Sequence, residues 1–354
     1  MRRILAGLLL LTLATLACGT GTPPRSTPEP AFVAATLVNG PQLGIAGLIP
    51  RNYPNPSAGD WTDLFTHLHE TGNLVGVYTA WNDSPEAEGL PPEVIKTAFD
   101  LQKQYGVTPV IALSFYQDAA EDHLASLIRW DDTDQRERVV ETARQIAESY
   151  QPPYFALGIE INRYYEEDPA GFKAYVDLYV EMYDAIKAIS PQTLVFPIFQ
   201  YEKMHGGVFF SGDNQAQPEW ELLDKFNGRM DLIAFTTYPF LLYATPADLP
   251  NGYYTEITRH ASQKIAFTEI GWPSAVLSAM PDSPFGGSPD EQSDFVRRFF
   301  SLTSDLPLDL ALWSFPHDVG PDFNAAFTSI SLRENNGTPK PALQVWRSYE
   351  GNAK

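Results

Sequence analysis

Two glutamates carry the clearest chemistry in this chain. Glu160 stands in Tyr154-Phe-Ala-Leu-Gly-Ile-Glu-Ile-Asn162, and Glu269 in Lys264-Ile-Ala-Phe-Thr-Glu-Ile-Gly-Trp-Pro273. Each follows an apolar run of strand length, and they are so far apart in sequence that only a fold can bring them together. Two carboxylates converging at strand ends can cleave a glycosidic bond: one protonates the leaving oxygen while the other attacks the anomeric carbon. That work needs one carboxyl that keeps its proton near neutral pH and one that is ionised. Ile159, Ile161, Tyr164 and Tyr165 surround Glu160 in sequence and predict a partly desolvated carboxyl there. Taken singly, a strand-end glutamate can also cap a helix or pair with an arginine such as Arg51 or Arg163.

The elements that must position these side chains alternate regularly. Short apolar runs fall at 44–49, 74–79, 109–115, 154–161, 194–199, 232–238, 265–270 and 310–315. Most are apolar in both alternation phases, the pattern of strands buried on both faces of a parallel sheet. Amphipathic stretches lie between them at 61–70, 93–105, 134–150, 170–189, 220–226 and 292–302, and 341–349 closes the chain. Asp60 reads as the N-cap of the first. Ser288-Pro-Asp-Glu291 reads as an N-cap with proline at the first helical position and an acid three residues on. Eight strand–helix units predict an α/β fold, a (β/α)8 TIM barrel over residues 41–354. A doubly wound open sheet competes, but Pro50-Arg-Asn-Tyr-Pro54 after the first strand lacks the glycines of a phosphate-binding turn. In a barrel, functional residues belong at the C-terminal strand ends, and both glutamates fall there, on the fourth and seventh strands.

These segments resemble the clan A (4/7) retaining glycoside hydrolases. Thr268-Glu-Ile-Gly-Trp-Pro-Ser274 resembles the Ser-Glu-Thr-Gly-Trp-Pro-Ser of plant-type β-1,3-glucanases. It is also similar to the nucleophile segment of arabinogalactan endo-β-1,4-galactanases. Asp231-Leu-Ile-Ala-Phe-Thr-Thr-Tyr-Pro239 resembles their sixth strand, and Trp313-Ser314 their eighth-strand tryptophan. The resemblance implies that Glu160 is the acid/base and Glu269 the nucleophile, with carboxyls about 5–5.5 Å apart. It further implies that Tyr238 donates to Glu269, and that Trp313 forms a sugar platform followed by a cis peptide at Trp313–Ser314. One position departs from the pattern. Where the clan carries an asparagine before the acid/base, this chain has Ile159; Asn162, two residues after Glu160, would share its face on an extended strand and could substitute.

Further candidates follow other strands. Arg51, Trp81, Asn82, Gln117, Gln200 and His317 could face a cleft or simply pack their loops. Trp81, Trp272 and Trp313 could stack on pyranose rings or fill core. The six histidines are scattered and there is one cysteine, so no catalytic metal and no cofactor are expected. No Gly-x-Ser-x-Gly elbow is present, which argues against a serine hydrolase.

Residues 1–17 read as a signal peptide: Arg2-Arg3, an apolar stretch too short to span a bilayer, and small residues before Cys18. Cys18, the single cysteine, resembles a bacterial lipobox cysteine, although Thr15 stands where an aliphatic residue is usual. Lipidation at Cys18 and a Thr/Ser/Gly/Pro-rich tether reaching to residue 40 are expected. The formal net charge of −20 disfavours nucleic acid and anionic lipid surfaces as partners. The reading is therefore an exported, lipid-anchored monomer at the bacterial cell membrane, with its domain outside the cytoplasm. It would hydrolyse a β-linked oligo- or polysaccharide with retention. The alternative is a catalytically inactive glycan-binding lipoprotein on the same barrel. Sugar identity, linkage and endo or exo action depend on loop shape, which spacing does not determine.

Overall fold

The computed structural model describes residues 41–81, 93–118, 124–207, 217–276, 287–320 and 325–350. The leader, Cys18 and the tether read over 1–40 lie outside the described residues, as does Asn82. Eight parallel strands form the sheet: β1 (Gln42–Ala46), β2 (Leu74–Ala80), β3 (Thr108–Ser114), β4 (Tyr154–Leu157), β5, β6 (Leu232–Thr237), β7 (Lys264–Ile270) and β8 (Leu308–Ser314). β5 comes in two pieces, Leu194–Phe196 and Ile198–Gln200, because Pro197 between them has no N–H to give a ladder. The first piece pairs with β4 and the second with β6, and the remaining order runs β4-β3-β2-β1-β8-β7-β6. β5 thus stands at both ends of the order, and the sheet closes on itself. Ile198 N–H donates to Gly158 O at 3.1 Å across that seam. The predicted (β/α)8 barrel is the observed one.

Closure divides the apolar residues into two cores. Inside the barrel, Ala46, Leu74, Val110, Phe196, Leu232 and Leu310 belong to one buried cluster. The opposite alternation phase packs outward against the helices α1 (Ala58–Thr66), α2 (Glu93–Tyr105), α3 (Thr133–Tyr150), α4 (Ile161–Glu167), α5 (Pro169–Ile189), α6 (Tyr201–Met204), α7 (Ile257–His260), α8 (Pro289–Thr303) and α9 (Pro341–Arg347). α5 shows why: Phe172, Tyr175, Tyr179, Met182 and Ile186 recur at helical spacing and are all buried. Each such side chain contributes roughly 1.5–3 kcal/mol relative to exposure.

Ser288 caps α8 as expected, its hydroxyl accepting from Glu291 N–H at 3.2 Å. The first helix starts earlier than Asp60 predicts. Ser57 is its N-cap, and Asp60 is the third residue of a capping box, accepting from Ser57 N–H at 2.7 Å. At the N-terminal end of the barrel Asp309 closes the lumen. Lys264 Nζ donates to it at 2.6 Å and Tyr154 Oη at 2.9 Å, while Gln42 donates to that tyrosine at 2.6 Å.

Candidate active site

The segment after β4 sets Glu160. The strand ends at Leu157, four residues before the predicted limit, because Gly158 adopts φ +102 and Glu160 φ +50 before α4 begins at Ile161. A Cβ at residue 158 would lie 2.5 Å from the Tyr175 hydroxyl, so glycine is required there on two counts. Glu160 holds a left-handed conformation that costs a side-chain-bearing residue about 1–2 kcal/mol, a strain found most often where function fixes a side chain. Its carboxylate is almost fully enclosed. Thr236 Oγ1 donates to Oε1 at 2.8 Å, and Arg163 Nη1 donates to Oε2 at 3.0 Å.

Glu269 is aimed by an irregularity in β7. The register against β6 shifts between Phe267 and Glu269, and the register against β8 shifts over the same stretch. Such a bulge bends a strand and re-aims a side chain. The Tyr238 hydroxyl donates to Glu269 Oε2 and also lies 2.9 Å from Ser314 Oγ at the end of β8. Tyr78 of β2 donates to Thr268 O at 2.5 Å, which sets its ring beside the same carboxyl. Burial pushes the Glu269 carboxyl up, to about 8. The negative charge of Glu160 adds to the shift, and the Tyr238 hydrogen bond opposes it. The same Glu269 charge, after burial, raises the phenols of Tyr78 and Tyr238. The two glutamates therefore sense each other across one low-dielectric site, with Tyr238 joined to Glu269.

Other sequence candidates fall elsewhere. Asn162 is not beside Glu160, because α4 replaces the extended strand on which the two would share a face. It is wholly buried, donating to Gln200 O at 3.0 Å and accepting from Gln200 N–H at 2.8 Å, a clamp between α4 and β5. The Gln200 side chain is likewise occupied, donating to Glu202 at 2.7 Å and accepting from Lys203 N–H at 2.7 Å. Trp272 is buried and stacked on Phe295 at 5.1 Å, so it fills core and is not a sugar platform in this structure. Trp313 also lies in the outer core, donating its indole N–H to Ile330 O at 2.8 Å and packing edge-on to Trp346 at 5.5 Å. The cis bond expected at Trp313–Ser314 is not found; among the described residues the cis peptide is Tyr53–Pro54. Trp272 packs toward α8, and Trp313 toward α8 and α9. Trp81 is buried in that same outer cluster. Arg51 is half exposed, donates to Asp60 at 2.6 Å and, with His317, lines a separate cavity of about 900 Å³ between α1 and α9.

Sequence reasoning missed Thr236, Ser314, Tyr78 and Glu202. Thr236 had a signal. Period-two alternation places it on one face with Tyr238, so a strand that presents Tyr238 to one glutamate presents Thr236 to the other. Ile159 is buried in the inner barrel cluster, closing the lumen beneath Glu160. No group of three metal-ligating side chains stands together among the described residues.

No protein-family profile matches the chain, and no curated protein is similar to it in sequence. Solved structures are similar in fold. The exo-β-1,4-mannosidase Op5Man5 from Opitutaceae bacterium strain TAV5 superposes with a TM-score of 0.60 at 14% identity, over 86% of this chain and 59% of its own. A family 39 glycoside hydrolase from Bacteroides cellulosilyticus WH2 gives 0.59 at 16%, over 88% and 63%. GH5_18 from Streptomyces cattleya, in complex with GlcNAc, gives 0.59 at 15%, over 89% and 82%. The chain thus spans about three fifths of the first two proteins. At such identities the likeness establishes the fold, a TIM barrel whose solved neighbours are glycoside hydrolases.

Proposed function

We propose that this protein is a glycoside hydrolase acting on a β-linked oligo- or polysaccharide by retaining double displacement. The observation that carries the reading is the pair Glu160, just past the end of the fourth strand, and Glu269 on the seventh, electrostatically linked and held by Thr236 of β6 and by Tyr238 just beyond it. In the first step a Glu269 oxygen attacks the anomeric carbon, the bond to the leaving oxygen breaks, and the Glu160 proton passes to that oxygen. In the second, Glu160 takes a proton from water, the resulting oxygen attacks the same carbon, and the ester to Glu269 breaks. The Tyr238 hydroxyl favours the Glu269 anion that attack requires, against the burial that sets this carboxyl at about 8, so attack is favoured on the alkaline side of neutrality. Tyr78, part-exposed and close enough for its phenol to sense the Glu269 charge, is a group that could meet the sugar. Arg163 must release Glu160 Oε2 for the leaving oxygen to approach.

That requirement, with Ile159 closing the position where an asparagine is usual, supports a second reading in which the barrel binds glycan without cleaving it. Hydrolysis of aryl-β-glycosides and a polysaccharide panel separates the two. Glu269→Gln should lower kcat at least about 10²-fold with binding retained. Binding with no turnover by the unaltered protein would end the enzymatic reading in favour of the second. Export and lipidation at Cys18 are proposed on sequence alone. Labelled fatty acid incorporated by the full chain and lost in Cys18→Ser is the expected result; label retained in that variant would refute it.

A further inference from the structure

Glu202 has no part in the chemistry above, yet it is the most completely enclosed carboxylate near it. It sits in α6 with no solvent exposure. Four donors converge on it. Gln200 Nε2 reaches Oε2 at 2.7 Å. Oε1 accepts from Thr237 Oγ1 at 2.7 Å, Tyr238 N–H at 3.1 Å and Tyr253 Oη at 3.2 Å. Tyr201, Tyr243 and Tyr254 stand close enough to sense its charge. A buried carboxyl in such a place must have its oxygens paired, and two of the four donors come from the end of β6.

The geometry explains why. β6 pairs with β5 only as far as Gln200 opposite Thr236. Beyond that point β6 has no ladder neighbour on this side, and Tyr238 leaves the strand with φ −137 and ψ 68. The Tyr238 N–H would be an orphan inside the protein. Glu202 Oε1 takes the place of the missing ladder carbonyl, and holding Thr237 from the same oxygen fixes which way the next residue points. The other end of that residue is the hydroxyl that meets Glu269.

We propose that Glu202 is a positioning residue: it fixes the terminus of β6 so that the Tyr238 hydroxyl meets Glu269. The assignment of catalytic weight to that contact rests on the function proposed above; the contact itself does not. Glutamine cannot replace Glu202. If its oxygen faces Thr237, Tyr238 and Tyr253, its amide faces the Gln200 amide, and turning Gln200 over sets that amide against Lys203 N–H.

The test reads Glu269 directly. In protein carrying 13C at the glutamate carboxyls, the Glu269 resonance is the one absent from Glu269→Gln, and its titration is followed in four forms: unaltered, Tyr238→Phe, Glu202→Gln and the double variant. Tyr238→Phe should raise the Glu269 midpoint by roughly one to two pH units, the size of one hydrogen bond to a charged group. Glu202→Gln should raise it similarly, with no further rise in the double variant. An unmoved or lowered midpoint in Glu202→Gln, or an equal shift in both backgrounds, would overturn the proposal. If Glu202→Gln does not fold, Tyr253→Phe loosens the same carboxylate while leaving it in place, and it should give a smaller rise that vanishes in the Tyr238→Phe background. Kinetics then add a second readout: kcat lower by about tenfold with KM unchanged in Glu202→Gln. A protein without turnover in any form sinks the glycosidase reading, while the titration still decides the role of Glu202.

Discussion

At Glu269 burial and the Glu160 charge act against one hydrogen bond. The first two favour the proton and the Tyr238 hydroxyl disfavours it, leaving the carboxyl at about 8. In the mechanism proposed above Glu269 must be ionised to attack, so there the Tyr238 hydroxyl is the one contribution in its favour. Tyr238→Phe should therefore shift the acidic limb of the kcat/KM profile to higher pH and lower kcat at pH 7 by about tenfold or more. A limb that stays in place would detach Tyr238 from the nucleophile. Of the residues singled out in the sequence, Glu160, Glu269 and Tyr238 do meet, because strand-end position in a barrel fixes which mouth they occupy. Asn162, Gln200, Trp272 and Trp313 do not line that site. Their chemical types suit a sugar site, but orientation depends on φ values at Gly158 and Glu160 and on which alternation phase faces the lumen. Glu202 was invisible for a related reason: a lone glutamate beside a short helix carries no mark of the four donors that the fold brings to it.

Elements were more legible than side chains. All eight strands fall on apolar runs, most of them doubled in both phases, since a strand buried on two faces leaves no polar phase. Their ends were less so. β4 stops at Gly158 and β5 breaks at Pro197, both local backbone events inside runs that remain apolar. The two ends of the barrel should respond differently to mutation, the C-terminal end through rate and the N-terminal end through stability. Asp309 tests the second. Its side chain is 1% exposed and accepts from Lys264 of β7 and Tyr154 of β4. Asp309→Ala strands the buried Tyr154 hydroxyl and should destabilise the fold by about 1–3 kcal/mol in denaturant titration. Since Lys264 and Tyr154, the partners of Asp309 among the described residues, lie at this end, any kcat/KM should stay within about twofold of the unaltered protein under conditions where both are folded. A rate loss that exceeds the folded fraction would couple the two ends.

Over the whole molecule, the enclosed carboxyls set how stability varies with pH. Burial raises Glu202 to about 7, Glu219 to about 7 and Glu269 to about 8, each from an ordinary glutamate value near 4.5. A carboxyl whose pKa is higher in the fold holds a proton there that the unfolded chain has already released. Its contribution to stability is complete below the unfolded value and is lost as pH rises through the folded one. Each such group steepens the fall toward about 1.4 kcal/mol per pH unit while the two states differ by a full proton. Other titrations act outside this range. Asp60, buried in its capping box, and the part-exposed Glu141 are held down to about 2, so they matter only in acid. His317, lowered by burial, gives an opposite trend only below its unfolded value near 6.5. Growing self-repulsion in a chain of net charge −20 adds to the loss. The unfolding midpoint should therefore drop steadily from pH 6.5 to 8.5. Glu202→Gln and Glu269→Gln, which carry no releasable proton, should each flatten the drop whatever their effect at pH 6.5. A flat or rising profile in the unaltered protein, or a slope that neither substitution changes, would show that these carboxyls are not held protonated by the fold.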